Sequence, residues 1–455
     1  MTEQTKQRLR ERFEQILAAQ YKKATTISDI EQIALDIGGQ IKQAATEEVG
    51  QEAQEIDPQR ESETTRGAES FQRATRVCCP GCQGNAWFKM QRVRSIQTLA
   101  GMLTLERAYY HCKKCQKGFC PLDTRLGLEQ GSFYSPALAQ EICALSASMP
   151  YELAMQTLAR LTKVVVSGRS AQRLATGLVA QIVSDFVDQR EEQMLPLAYL
   201  PEEKIPQELP EPEVLYLQAD GIHTPMEDGS WKEMKVAVVR AEYFDGREMM
   251  PSHYISHLGE AATFGKHWEA LALSCGSLKS KCLVVIGDGA TWIWNLASTH
   301  FPRAVQILDF YHASEYVSAV ARAVFGEQEA QKSAWLASRL HELKHSHWSS
   351  FWFALAELNQ PTLESLVSLR TYFSHHASRM EYASYLKRGL CIGSGLAESS
   401  CKRIVSDRLK GSGMHWSVLG AEVIARLRGF FLGGEWDVFQ AFWNARPRRG
   451  DTSPL

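Results

Sequence analysis

Val214 to His223, VLYLQADGIH, is the stretch that decides how the rest of the chain is read. Apolar side chains run into Asp220 and a glycine follows at once, which is the pattern of a short strand ending in a carboxylate. A central strand has both faces covered and keeps an unpaired charge only where something binds it, so Asp220 points to a functional groove. The plain alternative is a strand that closes in an Asp-Gly turn. Partners for the carboxylate elsewhere in the chain decide between them.

Working outward, Trp231 to Tyr243 and Met249 to Leu258 are β-rich runs separated by the turn signal Asp245-Gly246. A helix over 260–274 leads to Cys282 to Gly287, CLVVIG, an apolar strand that ends at Asp288-Gly289. A helix over 291–299 and a strand over 304–308, ending at Asp309, follow. Three strands, helix, strand, helix, strand predicts an RNase H-like sheet, antiparallel at first and then parallel. In that layout the first and fourth strands are neighbours, and Asp220 meets Asp288. Two carboxylates held together repel, and a bound divalent metal resolves the repulsion. Glu398, in GSGLAESSCKRIVSDRLKGSGMHW, supplies a third acid in the first turn of a helix, with Lys402, Arg403, Arg408 and Lys410 behind it to face phosphate.

At 455 residues, with 44% hydrophobic and 22% charged residues, the chain can bury a large core in roughly two to four domains. No apolar run approaches the roughly 18 residues a bilayer requires, and MTEQTKQRLRERFEQ is too charged for a signal peptide, so a cytoplasmic location is expected. The net charge of -2 hides a segregation along the chain. Arg73 to Arg125 carries ten Lys/Arg against two acids, residues 1–70 nine against fourteen, and Glu191 to Glu213 one against seven. Phosphate binding answers to the local field, so a near-neutral whole does not exclude DNA.

Eleven cysteines in such a chain point to metal ligands and buried thiols rather than disulfides. Cys79-x2-Cys82 and Cys112-x2-Cys115 have zinc-ribbon spacing, each pair forming a knuckle of a closed four-thiolate shell for structural Zn²⁺. Cys78 and Cys120 compete with their neighbours for those places. Ser135-Pro136 opens a helix over 137–146, followed by one over 151–161, a turn at 162–167 and a third helix from about Ser170. That helix has Ala171, Leu174, Leu178, Ile182 and Phe186 inward and Arg169, Ser170, Gln172 and Arg173 near its start. The pattern fits either a helix-turn-helix that reads DNA with Arg169, Ser170 and Arg173 or an ordinary helical bundle, and the neighbouring basic ribbon favours DNA. The predicted order is a helical arm and polar linker (1–72), zinc ribbon (73–128), helix-turn-helix-like domain (132–190) and acidic Pro-rich linker (191–213). The first part of an RNase H-like core (214–312), an α-helical insertion (313–389), the core's C-terminal helices (390–445) and a tail (446–455) complete it. His341 and His345 share a helix face within the insertion but lack a third ligand, and no second zinc is assigned.

The set Asp220, Asp288 and Glu398 resembles the DDE transposases of the RNase H-like superfamily. DFYHASEY, with Asp309 and His312, looks like the Asp-x-x-His signature of Mutator-like and related transposases. The cysteine ribbon with QADGIH, IGDGATW, LAESSCKR and MHWSVLGAEVIARLRGFFLGGEWDVF is similar to bacterial insertion-sequence transposases of the Kra type, over roughly Val77 to Trp443. The resemblance implies cleavage and strand transfer of double-stranded DNA at transposon ends by a homodimer or larger assembly. Two Mg²⁺ (or Mn²⁺) about 4 Å apart on Asp220, Asp288 and Glu398 would serve the chemistry. His312 would orient or protonate near the scissile phosphate, or else cap the next helix. Two other classes fit the sequence: a nuclease of the same fold without strand transfer, and a non-catalytic zinc-ribbon DNA-binding protein.

Overall fold

A computed structural model describes residues 1–19, 26–55, 75–129, 131–346, 348–358, 360 and 362–446. The chain divides into two compact units, Met1–Leu174 with Gln440–Leu455, and Ala175–Phe439. It is a mixed α/β protein with one sheet in each unit.

The first unit opens with a pair of packed helices, Glu3–Ala18 and Ile27–Glu55. The Thr2 hydroxyl caps the first by accepting the Thr5 N–H at 3.2 Å. Arg8 and Arg12 join the two helices through Glu47 and Glu48. The second helix runs to Glu55, into the stretch expected as a polar linker, and residues 56–74 of that expectation lie outside the described residues. Strands β1 (Arg76–Cys78), β2 (Asn85–Thr98), β3 (Gly101–Cys112) and β4 (Gly118–Phe119) form an antiparallel meander in chain order. One face of it buries Val77, Ala86, Tyr110 and Phe119, with Phe88 edge-on to Tyr110 at 5.9 Å. Helices Pro136–Ser148, Tyr151–Thr162 and Gly168–Leu174 follow. Ser135 caps the first by accepting the Leu138 N–H at 3.2 Å, with proline in its first turn.

The second unit starts at a π-turn, Ala175–Val179, that continues into Ala180–Met194. Its sheet holds β5 (Val214–Pro225), β6 (Trp231–Glu242), β7 (His253–His257), β8 (Cys282–Gly287) and β9 (Val305–Leu308), in the order β7-β6-β5-β8-β9. β5, β6 and β7 pair antiparallel, while β5, β8 and β9 pair parallel. Helices Ala261–Ser274 and Thr291–His300 make the crossovers that parallel neighbours require. The central strand is longer than its sequence suggested: β5 does not end at Asp220-Gly221 but stays paired with β6 as far as Pro225 opposite Trp231.

Residues 195–213 lie along this unit. Lys279 Nζ donates to the Gln207 carbonyl and to Glu211, both at 2.9 Å, and Lys281 pairs with Glu213 at 2.8 Å. Between β9 and Glu398 come five helices, Phe310–Phe325, Glu329–His345, Trp348–Ala356, Glu364–His376 and Tyr382–Lys387. Gly395–Cys401 then leads through a second π-turn, Lys402–Ser406, to Asp407–Leu409 and the long helix Val418–Leu432. No helix among the described residues is long and apolar enough to cross a membrane.

Candidate active site and cysteine cluster

β5 outlasts its parallel neighbour. The β5–β8 ladder ends at Gln218 opposite Ile286, and β8 itself ends at Gly287. Two steps further along each chain, Asp220 and Asp288 come abreast where β5 has lost a partner on that side. Burial raises the Asp220 carboxyl above the usual carboxylate range, the Gly221 N–H opposes it, and the negative charge of Asp288 adds to the rise. Gly221 N donates to Asp220 Oδ1 at 2.6 Å, and Ala290 N donates to Asp288 Oδ1 at 3.0 Å.

The two Asp-Gly pairs have different surroundings. A β-carbon at Gly221 would meet the Glu233 carboxylate on β6, the movable end of a flexible side chain. Gly289 has φ +106° and Tyr372 packed against it, and the Tyr372 hydroxyl donates to the Asp288 carbonyl.

Glu398 reaches this corner through a buried glutamine. Gln218, on the same side of β5 as Asp220, accepts the Ala397 N–H at 3.2 Å and donates to the Gly393 carbonyl at 3.4 Å. The helix Gly395–Cys401 therefore packs against β5 and β6, and the buried Cys401 thiol hydrogen-bonds to Asp220. Residues three apart on a helix are surface neighbours, so Glu398, exposed, stands one rung from Cys401. Among the described residues the only set of three or more ligating side chains with donor atoms mutually within 4.8 Å is the cysteine quartet, so the three carboxylates do not close on one point.

Asp309 and His312 sit beside this corner in different roles. Asp309 is buried and caps the helix Phe310–Phe325, accepting the Tyr311 N–H at 2.7 Å and the Ser394 hydroxyl. His312 is half-buried, 3.7 Å from Glu315, with its ring 5.9 Å from the Tyr372 ring. Tyr372 also stacks on Tyr316 at 4.2 Å, which gives Asp288 an aromatic wall. The His341 and His345 rings lie 4.8 Å apart, tilted by 43°, with no third ligand among the described residues.

Of the basic residues expected to meet DNA, Arg169, Arg173, Lys402, Arg403 and Lys410 are exposed. Ser170 is half-buried and accepts the Ser167 hydroxyl at 2.9 Å. Arg403 donates to the Tyr254 hydroxyl at 3.4 Å, and Lys410 lies 5.8 Å from the exposed Trp231 ring. Arg408 differs from its expectation: it is 2% exposed, with its guanidinium 5.0 Å from the Trp416 ring, and cannot face phosphate. The sequence reading did not single out Glu233, Tyr372 and Gln218, and it left Cys401 without a role. The hairpin register, which sets Glu233 opposite His223, was the one signal available for Glu233.

The cysteine site is local and closed. Cys79, Cys82, Cys112 and Cys115 bring their sulfurs within 4.8 Å of one another, with Cys79–Cys115 at 3.6 Å and Cys82–Cys112 at 3.5 Å. Each knuckle is followed by a left-handed glutamine, Gln83 and Gln116, both at φ 58°. The backbone N–H of Cys115 leads in drawing the Cys112 thiol down to about 7, while burial pushes the neighbouring Cys115 thiol up. Cys78 instead turns outward to Gln83 at 3.2 Å, and Cys120 is buried at the start of the helix Pro121–Arg125, so neither joins the quartet. Four soft thiolate donors at this spacing fit Zn²⁺.

A family model described as an uncharacterised protein family, UPF0236, matches residues 84–326. A UPF0236 protein from the vanSb 3′ region of Streptococcus gallolyticus is 23% identical over 377 residues, covering 80% of this chain and 77% of that protein. A UPF0236 protein of Caldanaerobacter subterraneus subsp. tengcongensis is 24% identical over 247 residues, 51% of this chain and 49% of that protein, and its name joins eleven loci.

Proposed function

The chain belongs to the uncharacterised family UPF0236, and from its carboxylate groove we propose that it is a DDE transposase that cuts and joins DNA. The observation that carries the reading is Asp220 abreast of Asp288, with the helix of Glu398 tied to the same strand through Gln218 and Cys401. The strand order β7-β6-β5-β8-β9, antiparallel then parallel, is the one an RNase H-like core uses, and the five helices before Glu398 form an insertion in it. The eleven loci in the Caldanaerobacter relative's name also support a mobile element, since repeated copies in one genome are what self-mobilising DNA leaves.

Asp220, Asp288 and Glu398 would hold two Mg²⁺ or Mn²⁺ ions, which when bound supply charge neutralisation at a scissile phosphate. The raised carboxyl of Asp220 fits such a place: an acid that pays for burial and for a like charge gains most from a cation. Gln218 and Cys401 hold the acids in register, and Tyr372 fixes the backbone of Asp288. His312, beside Tyr372, would orient or protonate near the scissile phosphate. Lys402, Arg403 and Lys410 track phosphates next to Glu398, and Arg169, Ser170 and Arg173 contact the ends of the element. Zn²⁺ on the four cysteines folds the ribbon. Two ends must be handled together, so the working form is a dimer or larger on DNA.

The test is the full chain with duplexes carrying the DNA that flanks its gene, in Mg²⁺ and in Mn²⁺. The expected products are a 3′-OH at the element's end and a molecule in which that end is joined to target DNA. Glu398→Gln should lower both by at least about 100-fold while the fold is retained. Cleavage without joining would make the protein a nuclease, and wild-type cleavage by both Glu398→Gln and Asp220→Asn would end the catalytic reading.

A further inference from the structure

The first unit carries a feature that the carboxylate groove does not use. In the meander, Arg76 pairs with Trp87, Trp87 with His111 and His111 with Gly118, so one row of side chains crosses the sheet. Residues directly opposite share a face. The other face is the buried side, with Val77, Ala86, Tyr110 and Phe119. The row is open: Trp87 is 42% exposed, and the Arg76 guanidinium stands 6.0 Å from its ring. Two residues before His111 on the same face, Tyr109 has the exposed Arg92 guanidinium 3.6 Å from its ring centre. Gly118 has no side chain because the Tyr109 ring lies over it, which leaves a flat floor.

Charge and shape together select an occupant. Between Arg76 and Cys120 the chain has eight Lys/Arg and one acid, Glu106. Glu106 pairs with Val93, one register step from Arg92 opposite Arg107, so it projects from the other face. Asp123 is held by Arg94 and Arg107, and Arg76 and Arg92 stand as phosphate partners beside the open Trp87 ring, which offers a stacking face. A duplex hides its base faces, whereas unpaired bases expose them. We propose that this face of the ribbon binds single-stranded DNA, with a base stacking on Trp87 and phosphates held by Arg76 and by Arg92, which lies over the Tyr109 ring. The site does not rest on the transposase reading, and a protein inactive in cleavage could still carry it.

The test uses the full zinc-loaded chain, a fluorescent 12-nucleotide oligo(dT) and a mixed-sequence duplex of equal length, read by anisotropy. Trp87→Ala should weaken oligo(dT) binding by about tenfold, Trp87→Phe should restore most of it, and the duplex affinity should stay within about twofold. Arg92→Gln should weaken oligo(dT) and flatten its salt dependence. Zinc content and circular dichroism check that each variant is folded. If folded Trp87→Ala and Arg92→Gln bind oligo(dT) as the wild type does, or lose oligo(dT) and duplex equally, the platform is not there.

Discussion

The cysteine quartet and the carboxylate groove are opposite solutions to gathering ligands. The quartet draws four soft donors from two local knuckles of one sheet and closes them within 4.8 Å. The three acids come from far apart in the chain, Asp220 within β5, Asp288 just past the end of β8 and Glu398 on the helix tied to β5, and they stay apart. A closed shell with no open position makes a structural centre, and an open border leaves room for a substrate. Closure is thus the property that separates scaffold from site, and each region can be challenged on it.

The largest effect is expected at the closed site. Cys112→Ser should abolish zinc binding and melt the meander, because the metal's binding energy, on the order of 10 kcal/mol, is folding energy there. Metal analysis with circular dichroism checks this, and a folded zinc-free variant would refute it. At the open site the second largest effect should appear without unfolding. Gln218→Leu removes two buried bonds, leaving the Ala397 N–H on the Ser394 carbonyl at 2.8 Å and the Gly393 carbonyl on the Cys391 thiol, at a cost of about 1 kcal/mol. It should also loosen the Glu398 helix, so cleavage should fall by more than the fraction unfolded explains.

The difference in closure also explains what the sequence revealed. The quartet was readable because its spacing is local and its donors are adjacent in the chain. Apolar runs lead into Asp220 and Asp288 and made the two strands before them readable, yet β5 was cut short at Asp220. An Asp-Gly pair looks like a turn until the register shows β5 still paired with β6 beyond Gly221, as far as Pro225. Tyr372 reaches Asp288 from 84 positions away, and no periodicity marks it. Arg408 was grouped with its basic neighbours because it lies among them in the chain, but its side chain is buried against Trp416.

Acid should weaken the two regions for different reasons. In the second unit, burial leads in pushing the His267 imidazole down to about 3, with Arg426 reinforcing it. His267 Nε2 lies 3.1 Å from Arg426 Nη2, and its Nδ1 meets Glu191. A base depressed in the folded state binds its proton mainly when unfolded. The stability this confers is whole above about 6.5 and is lost as pH falls towards 3, at up to about 1.4 kcal/mol per pH unit. His267→Gln should flatten that slope in denaturant titrations followed by tryptophan fluorescence. Zinc release from the first unit, driven by protonation of thiolates, should keep its own pH profile in the variant.

The smallest effect concerns the rim of the open site, where Lys410 and Arg408 are two positions apart and face opposite ways. Lys410 is exposed beside Trp231, so Lys410→Ala should weaken duplex binding only a few-fold, equally across sequences. It should lower the slope of log affinity against log salt by about one. Arg408→Ala should leave that slope alone and instead lower the melting temperature, because it removes a buried guanidinium from Trp416. If Arg408→Ala changed the salt slope while Lys410→Ala did not, the side of this segment turned to phosphate would be the reverse of the one described, and the groove would lose its basic rim.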